Sequence, residues 1–261
     1  MEKALKLLPL GTSDFENLRH RDQIYVDKTD MICELASVPG KFFFARPRRF
    51  GKSLLLSTFE SLFRDGLKNF QGLKIEQLWT DKSTYKVIKL DFSRVKPEGT
   101  FEDFCQYFDN YLEAQFSLIG FKKEDNGLFL SNQIEIFLAG LSSSSLVLLI
   151  DEYDAPLTAC LDNKEFFERV RNYLSRFYGI LKANDRVLRF LFITGITKFN
   201  KTSIFSELNN LSDVSLSPRF GTLLGYTHEE VETYFDGYLT QSASVLSVSR
   251  DELLRSLTKQ Y

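Results

Sequence analysis

The stretch FFFARPRRFGKSLLLSTF, residues 42–59, determines how the rest of the chain is interpreted. An apolar run is followed by an arginine-rich segment, by Gly51-Lys52-Ser53, and then by apolar residues with helical spacing. Strand, loop and helix in this order are typical of a phosphate-binding loop, where backbone N–H groups and a helix N-terminus converge on anionic oxygens. In the motif G-x-x-x-x-G-K-[ST], the lysine reaches the β- and γ-phosphates and the next hydroxyl binds magnesium.

The position of the first glycine of this motif holds Arg46. Glycine there makes a tight turn that a residue with a Cβ adopts at a cost. Pro47 fixes its own φ and biases Arg46 toward an extended conformation, so we expect the chain to enter the loop in a different way. The alternative is a basic surface turn, because Gly-Lys-Ser is common on its own.

A second buried strand is predicted to end in carboxylates, in the stretch SLVLLIDEYDAP, residues 145–156. Asp151 is the expected magnesium-side carboxylate, and Glu152 is placed to polarise an attacking water as general base. Asp154 adds charge at the same edge. The alternative is a solvated acidic turn that Pro156 ends, but its pairing with the phosphate loop favours a nucleotide site.

The fold class that the patterns predict is α/β, with a parallel sheet. Short apolar runs predict strands at residues 41–45, 85–92, 146–150 and 188–196, with a weaker candidate at 213–216. Helical periodicity is present at 53–63, 101–118 and 164–182. Near-continuous apolar strands that alternate with helices indicate a parallel sheet covered on both faces.

We therefore expect a P-loop NTPase sandwich of the additional-strand class over residues 1–224, including an N-terminal segment on the base side of the nucleotide. Two short helical patterns follow, HEEVETYFDGYL and SRDELLRSLTKQY. We interpret residues 225–261 as the start of a helical lid, and expect it to be truncated at Tyr261.

Composition favours a cytoplasmic protein. The 261 residues carry a formal net charge of −2, which does not indicate a nucleic-acid-binding surface overall. The three cysteines lie far apart without disulfide or metal-ligand spacing, and the two histidines make a structural zinc site improbable. No apolar run approaches the roughly 20 residues that span a bilayer, and no signal peptide is evident.

Further polar residues are candidates for sensing the γ-phosphate or for binding the base. The strand RFLFITGITKFNKTSIF carries Thr197, our choice for the γ-phosphate sensor, with Thr194 as the alternate; packing on a strand is the other interpretation. Arg219 follows the presumed last strand and is a candidate arginine finger, but we favour the interpretation that it is an ordinary surface arginine. Phe15 or Tyr25 is available to stack on a base, or simply packs at the sheet edge.

The predicted site combines these residues. The catalytic group is Glu152, Lys52 and Arg49, since Arg48 and Arg49 lie nearest to any phosphate. The predicted metal ligands are Ser53 and Asp151. The predicted nucleotide contacts are Arg46, Pro47, Arg48, Arg49, Phe50, Gly51, Lys52, Ser53, Leu54 and Thr197.

The motifs GTSDFENLR, YVDKT, FARPRRFGKSLLL, VLLIDEYDAPL, FITGITKF and LLGYTHEEV occur in this order. Together they resemble the bacterial AAA-ATPase-like family, whose members often carry a C-terminal PD-(D/E)XK-type nuclease domain. The resemblance covers nearly the whole chain and implies an additional-strand P-loop domain with ATP and Mg²⁺ as its ligands. Arginine in place of the first glycine is usual in that family, which makes this a variant loop.

The resemblance also carries Lys52 and Ser53 over as phosphate and magnesium contacts, and Asp151 with Glu152 as the acidic pair. No Glu-x-Lys occurs in the chain, and the one Asp-x-Lys, at Asp162, precedes a helix as a capping box, so we expect the nuclease domain to be absent. DNA as a partner rests on the resemblance alone.

The leading hypothesis is an Mg²⁺-dependent ATPase whose bound state switches an attached or partner module. The alternative is a non-catalytic nucleotide-binding regulatory module. A small-molecule kinase is a third reading, without a recognisable acceptor pocket. ATP and GTP are not distinguished by these residues.

Overall fold

A computed structural model of the chain describes residues 5–197, 208 and 210–260. Its centre is a five-stranded sheet in the order β2-β3-β4-β1-β5, and every neighbouring pair is parallel. The strands are β1 (Gly40–Ala45), β2 (Lys86–Asp91), β3 (Leu146–Asp151), β4 (Leu188–Gly195) and β5 (Ser212–Asp213). The α/β fold predicted from the sequence is confirmed and is consistent with a P-loop NTPase.

Helices cover both faces of the sheet. Before β5 they are α1 (Phe15–His20), α2 (Thr29–Ser37), α3 (Lys52–Asp65), α4 (Phe101–Ser117), α5 (Leu130–Ala139), α6 (Ala155–Thr158) and α7 (Lys164–Ala183). After β5 come α8 (His228–Tyr234), α9 (Asp236–Leu246) and α10 (Arg250–Gln260). Short 3₁₀ helices occupy Gly66–Asn69, Lys74–Gln77, Phe92–Arg94, Asp185–Val187 and Pro218–Phe220.

The alternation of side chains along each strand divides the interior into two apolar cores. On β3 every residue is buried, and Leu148 and Ile150 pack with α4, α5 and α7. Val147 and Leu149 point to the opposite face and pack with α2 and α3. A strand buried on both faces reads as a continuous apolar run, which is why β3 was recognisable in the sequence.

The N-terminal segment contains a helix that the sequence patterns did not predict. Residues 15–20 form α1, whose N-cap Asp14 accepts the N–H of Asn17 at 2.7 Å. The helix is short, with only Phe15 and Leu18 on its buried side, so it leaves little periodicity in the sequence. Helix α5 was also missed by the sequence patterns.

The C-terminal helices α8 to α10 follow the sheet. Thr227 and Glu230 form a capping box that starts α8, with each side chain accepting a backbone N–H of the other. The boundary at residue 224 and the truncation of a lid stay predictions. Within the described residues, none of the helices has both the length and the apolarity that crossing a bilayer requires.

Candidate active site

The loop at residues 46–51 joins the end of β1 to the first residue of α3. Positive φ occurs at Arg49 (67°) and at Gly51 (90°), but not at Arg46. The left-handed residues therefore lie toward the exit of the loop, and the absence of positive φ at Arg46 agrees with the restriction that Pro47 places on the residue before it. This arrangement explains how the loop tolerates a side chain at the first glycine position.

Lys52 folds back over this loop. Its side chain is 5% exposed, and Nζ donates to the carbonyls of Arg46 and Pro47, each at 3.0 Å. Neither of these two contacts is to a carboxylate. Such a group is suited to exchange a carbonyl for a phosphate oxygen, which binds it more strongly.

The acidic strand end and the phosphate loop meet at Asp151. Ser53 Oγ donates to Asp151 Oδ2 at 2.5 Å, and Thr194 Oγ1 donates to Oδ1 at 2.5 Å. The carboxylate is 5% exposed, and its Oδ1 also accepts the N–H of Glu152 at 3.1 Å. Helix α3, strand β3 and strand β4 therefore each contribute one side chain to a single centre.

Glu152 lies directly after β3 in left-handed backbone, with φ 48°. This conformation costs a non-glycine residue roughly 1–3 kcal/mol, and such strain is concentrated at functional sites. Burial raises the pKa of the Glu152 carboxyl, and the negative charges of Asp151 and Asp91 raise it further, whereas Lys52 and Arg48 lower it. The charges that shift this pKa belong to the acidic strand ends and to the phosphate loop, so Glu152 lies near both.

The Asp154 carboxylate is bonded to the backbone that follows β4, so it is not a free charge at the edge of the sheet. Its side chain is 1% exposed, and Oδ2 accepts the N–H groups of Ile196 and Thr197 at 3.0 and 3.1 Å. The Tyr153 hydroxyl donates to the Thr197 carbonyl at 2.8 Å. Gly195 permits this approach, because a Cβ there would lie 2.5 Å from the Tyr153 ring.

Strand β4 lies between β1 and β3, where a γ-phosphate sensor was expected. The alternate, Thr194, is fully buried on Asp151, whereas the first choice, Thr197, is exposed and bound by Asp154. The sensor role of Thr197 stays a prediction. The polar residues Lys198 and Asn200, which follow Thr197 in the same stretch of sequence, lie outside the described residues.

The remaining loop residues differ in exposure. Pro47, Arg48, Arg49, Phe50 and Ser53 are exposed, and Leu54 is partly buried on α3. Arg46 behaves differently, because its guanidinium donates to the carbonyls of Ala45 (2.9 Å) and Ser215 (2.6 Å). That contact was not foreseeable from the sequence, since the two residues are 169 positions apart.

Two weaker candidates are placed elsewhere. Arg219 pairs with Glu34 of α2, so its guanidinium is engaged by a carboxylate. Phe15 is fully buried, and its proposed stacking on a base is wrong because no face of the ring is accessible. Tyr25 lines a cavity of about 530 Å³ between the N-terminal segment and helices α8 and α9, with Tyr234 and Tyr238 also in its wall.

The donor atoms at the centre suit magnesium. Ser53 and Asp151 offer a hydroxyl and a carboxylate, the hard oxygen ligands that Mg²⁺ takes. No cluster of three or more His, Cys, Asp or Glu side chains able to hold a metal occurs in the part of the chain that the structure describes. A magnesium ion that is also bound by substrate phosphates and water needs only one or two carboxylates from the protein.

Comparisons with known proteins agree with this arrangement. A family model described as a predicted AAA-ATPase matches residues 9–205. An uncharacterized protein encoded in the vnfD 5′ region of Azotobacter chroococcum mcd 1 is 32% identical over 233 residues, which cover 88% of this chain. The match spans only 45% of that relative's length. No solved structure matches the chain.

The matched range includes the phosphate loop, the acidic strand end and Thr194. It therefore covers every residue that meets at Asp151, and the chain belongs to the AAA-ATPase-like family of predicted AAA-ATPases.

Proposed function

We propose that this chain binds ATP with Mg²⁺, hydrolyses it, and uses the bound state to switch an attached or partner module. The observation that carries the proposal is the 2.5 Å hydrogen bond between Ser53 Oγ and Asp151 Oδ2. It brings the hydroxyl after the loop lysine against the carboxylate at the tip of the acidic strand. Those two groups hold the magnesium ion in P-loop NTPases.

Binding begins with the loop. Backbone N–H groups of residues 48–53 and the N-terminus of α3 favour the phosphates, and Lys52 supplies a positive charge that now rests on two carbonyls. Ser53 and Asp151 would hold Mg²⁺, which neutralises developing phosphate charge when bound. The exposed guanidiniums of Arg48 and Arg49 add positive charge at the mouth of the loop.

Hydrolysis requires a base next to these groups. Glu152 accepts a proton from a water molecule as its oxygen forms a bond to the γ-phosphorus. The bond from that phosphorus to the β–γ bridging oxygen breaks, and ADP leaves with the electron pair. The raised pKa of Glu152 suits this role, because a base of higher pKa binds the proton more strongly.

The switch is supported by the surroundings of the loop. Leu224 lies over Gly51, where a Cβ would be 3.7 Å from its Cδ2, and the chain runs from there into α8. The relative from Azotobacter is about twice as long as the matched region, which leaves room in that protein for a further module.

The test is phosphate release from ATP with Mg²⁺, measured alongside nucleotide binding. Lys52→Ala is expected to weaken binding and abolish release, whereas Glu152→Gln is expected to abolish release and keep binding. Lys122→Ala and Glu135→Gln are matched controls, because both residues are exposed and neither belongs to the loop or to the acidic strand end.

Each outcome separates the candidates. Binding without release in the unmodified chain would replace the hydrolase with a nucleotide-binding regulatory module. Phosphate transfer to a small-molecule acceptor in place of water would indicate a kinase. Absence of binding to ATP and GTP would refute the nucleotide site altogether.

A further inference from the structure

Arg46 occupies the glycine position of the phosphate loop, yet its guanidinium does not lie free above the loop. Nη1 donates to the Ser215 carbonyl at 2.6 Å and Nη2 to the Gly221 carbonyl at 3.4 Å. The guanidinium carbon stacks 4.3 Å from the centroid of the Phe44 ring. The side chain is therefore held between the end of β1 and the segment that follows β5.

That segment, residues 215–225, contacts the loop and the end of β1 at several points, and we call it the strap. The Ser215 hydroxyl accepts the N–H of Ala45 at 2.9 Å, at the beginning of the strap. At its far end, Leu224 lies over Gly51, and a Cβ at Gly225 would be 3.5 Å from the Phe50 ring. The strap thus contacts the phosphate loop at both its entrance and its exit.

The strap also leads into the C-terminal helices. Lys28 donates to the Thr222 carbonyl and to Glu230 Oε2 of α8. Glu230 in turn accepts the N–H of Thr227, which caps the same helix. A displacement of the strap would therefore be passed to the first turn of α8 through polar contacts that are already formed.

The geometry of a guanidinium explains why this position carries arginine. Its planar fork can donate to two separate acceptors, and it stacks on an aromatic face, which a lysine ammonium does less well. The Gly221 carbonyl also follows the C-terminal end of the 3₁₀ helix Pro218–Phe220, where carbonyls lack intrahelical partners. Glycine at position 46 could make none of these side-chain contacts.

We infer that Arg46 is a positioning residue that ties the phosphate loop to the strap and thereby couples nucleotide occupancy of the loop to helices α8 to α10. The inference rests on the proposed nucleotide site and adds a route of regulation to it. In this inference Arg46 supports the loop from the strap side and does not contact the phosphates. The phosphates would be bound by the loop backbone, Lys52 and the neighbouring arginines.

Hydrogen exchange measured by mass spectrometry on the full chain tests the inference. Strap amides that report are those of Ser217, Phe220 and Leu223, each bonded to a backbone carbonyl within or beside the strap. The wild type is compared with Arg46→Ala, Arg46→Lys and the control Arg48→Ala, without nucleotide and with a non-hydrolysable ATP analogue plus Mg²⁺. Circular dichroism and thermal melting establish that each variant is folded.

Without nucleotide, Arg46→Ala is expected to speed strap exchange roughly tenfold, as expected for the loss of one charge-assisted hydrogen bond of about 1.4 kcal/mol. Arg46→Lys is expected to give a smaller change. With the analogue, the wild type gains protection in the loop, the strap and α8. In Arg46→Ala, only the loop amides are expected to gain protection from exchange. Arg48→Ala is expected to bind the analogue more weakly, but at saturating analogue its strap amides should still gain protection.

Two results would overturn the inference and leave the proposed function intact. One is that the analogue still protects the strap and α8 in Arg46→Ala. The other is that this protection is lost to the same extent in Arg48→Ala. If Arg46→Ala does not fold, Arg46→Lys decides, and unchanged coupling together with unchanged strap exchange would count against the inference. A wild type whose loop gains no protection from the analogue would refute the proposed function, and the coupling with it.

Discussion

Thr194 Oγ1 donates a 2.5 Å hydrogen bond to Asp151 Oδ1 from the strand that separates the phosphate-loop strand from the acidic strand. The opposite oxygen of the same carboxylate accepts from Ser53. Asp151 is thus fixed from two sides, and a change at Thr194 would reach the Ser53 hydroxyl through a single carboxylate.

Replacing Thr194 with valine tests this relationship. The substitution keeps the shape of the side chain and removes the hydroxyl, so Asp151 loses one of its donors in a buried setting. We expect phosphate release to fall roughly 10- to 100-fold, in line with the loss of one positioned hydrogen bond at a charge. Steady-state phosphate release and nucleotide binding measure the effect.

Thr197→Val is the matched comparison, since Thr197 was the sensor expected from the sequence. Its hydroxyl is 3.4 Å from Asp154, and its backbone carries the stronger contacts. We expect the smaller loss of rate for this variant. A larger loss in Thr197→Val than in Thr194→Val would reinstate Thr197 as the sensor.

The sequence was sufficient for the parts of the fold that local pattern dictates. Strands β3 and β4 were predicted because every residue in them is buried, and β1 because of its phenylalanine run, in which Phe43 and Phe44 are fully buried. Helices α4 and α7 were predicted because their apolar residues recur every three or four positions. Helix α5 has Leu130, Ile134 and Leu138 with the same spacing, but it is only ten residues long and follows a polar loop.

The parts of the site that sequence reasoning missed depend on long-range contacts. The loop motif and the acidic strand end identified Lys52, Ser53 and Asp151 by residue type and spacing. The Asp154 carboxylate accepts the N–H of Ile196, which is 42 positions away in the chain. Arg46 contacts Ser215, which is 169 positions away. No local propensity encodes which carbonyl a given side chain will reach.

Gly195→Ala is expected to destabilise the fold. The added Cβ would lie 2.5 Å from the Tyr153 ring and 3.0 Å from Asp154 Oδ1, and both of those side chains are buried. Overpacking of this kind typically costs about 1–3 kcal/mol in free energy of unfolding. Urea unfolding followed by circular dichroism measures it.

The control for that variant is Gly179→Ala in α7. A Cβ at this position meets no atom within 4 Å, and alanine is favoured over glycine in a helix by about 1 kcal/mol. The two identical substitutions should therefore change stability in opposite directions. A stabilised Gly195→Ala would show that the junction of β3 and β4 is looser than the structure indicates.

Asp109→Asn is expected to make thermal stability less dependent on pH. Burial raises the pKa of the Asp109 carboxyl, which accepts a hydrogen bond from the Tyr173 hydroxyl at 2.8 Å. Because the folded pKa lies above the unfolded one, the folded state holds this proton more tightly. The carboxyl therefore favours folding at low pH and disfavours it once the pH rises above its folded pKa.

Asparagine is neutral at every pH and still accepts the Tyr173 hydroxyl through its amide oxygen. The variant should melt at a higher temperature than the wild type near pH 7, with the difference shrinking toward pH 4. Asp125→Asn, on an exposed loop, is the control and should show no such trend. A difference that grows on acidification would contradict the sign of the shift.

Glu230→Gln is expected to weaken the attachment of α8 to the N-terminal part of the chain. Burial raises the pKa of Glu230, but the hydrogen bonds from the Thr227 N–H and from Lys28 lower it by more, so the net shift is downward. A carboxylate with a lowered folded pKa stabilises the protein above its unfolded pKa, and the contribution is lost as the pH falls through the folded value.

Glutamine at this position keeps the capping box but leaves the Lys28 ammonium, whose side chain is 8% exposed, without its carboxylate. We expect a loss of roughly 2 kcal/mol at pH 7, less than for a fully buried pair because Glu230 is partly exposed. The loss should narrow as the pH falls through the lowered folded pKa of Glu230, because the wild-type carboxyl then also becomes neutral. Urea unfolding at pH 7 and at a series of acidic pH values measures the difference.

Glu252→Gln provides the control at an equivalent position. Glu252 accepts the N–H and the hydroxyl of Ser249 at 2.9 Å in the capping box that begins α10, but its carboxylate is exposed and is not bonded to a buried lysine. Its replacement should change stability much less. Equal losses in the two variants would show that helix capping, and not the Lys28 ion pair, carries the stability at α8.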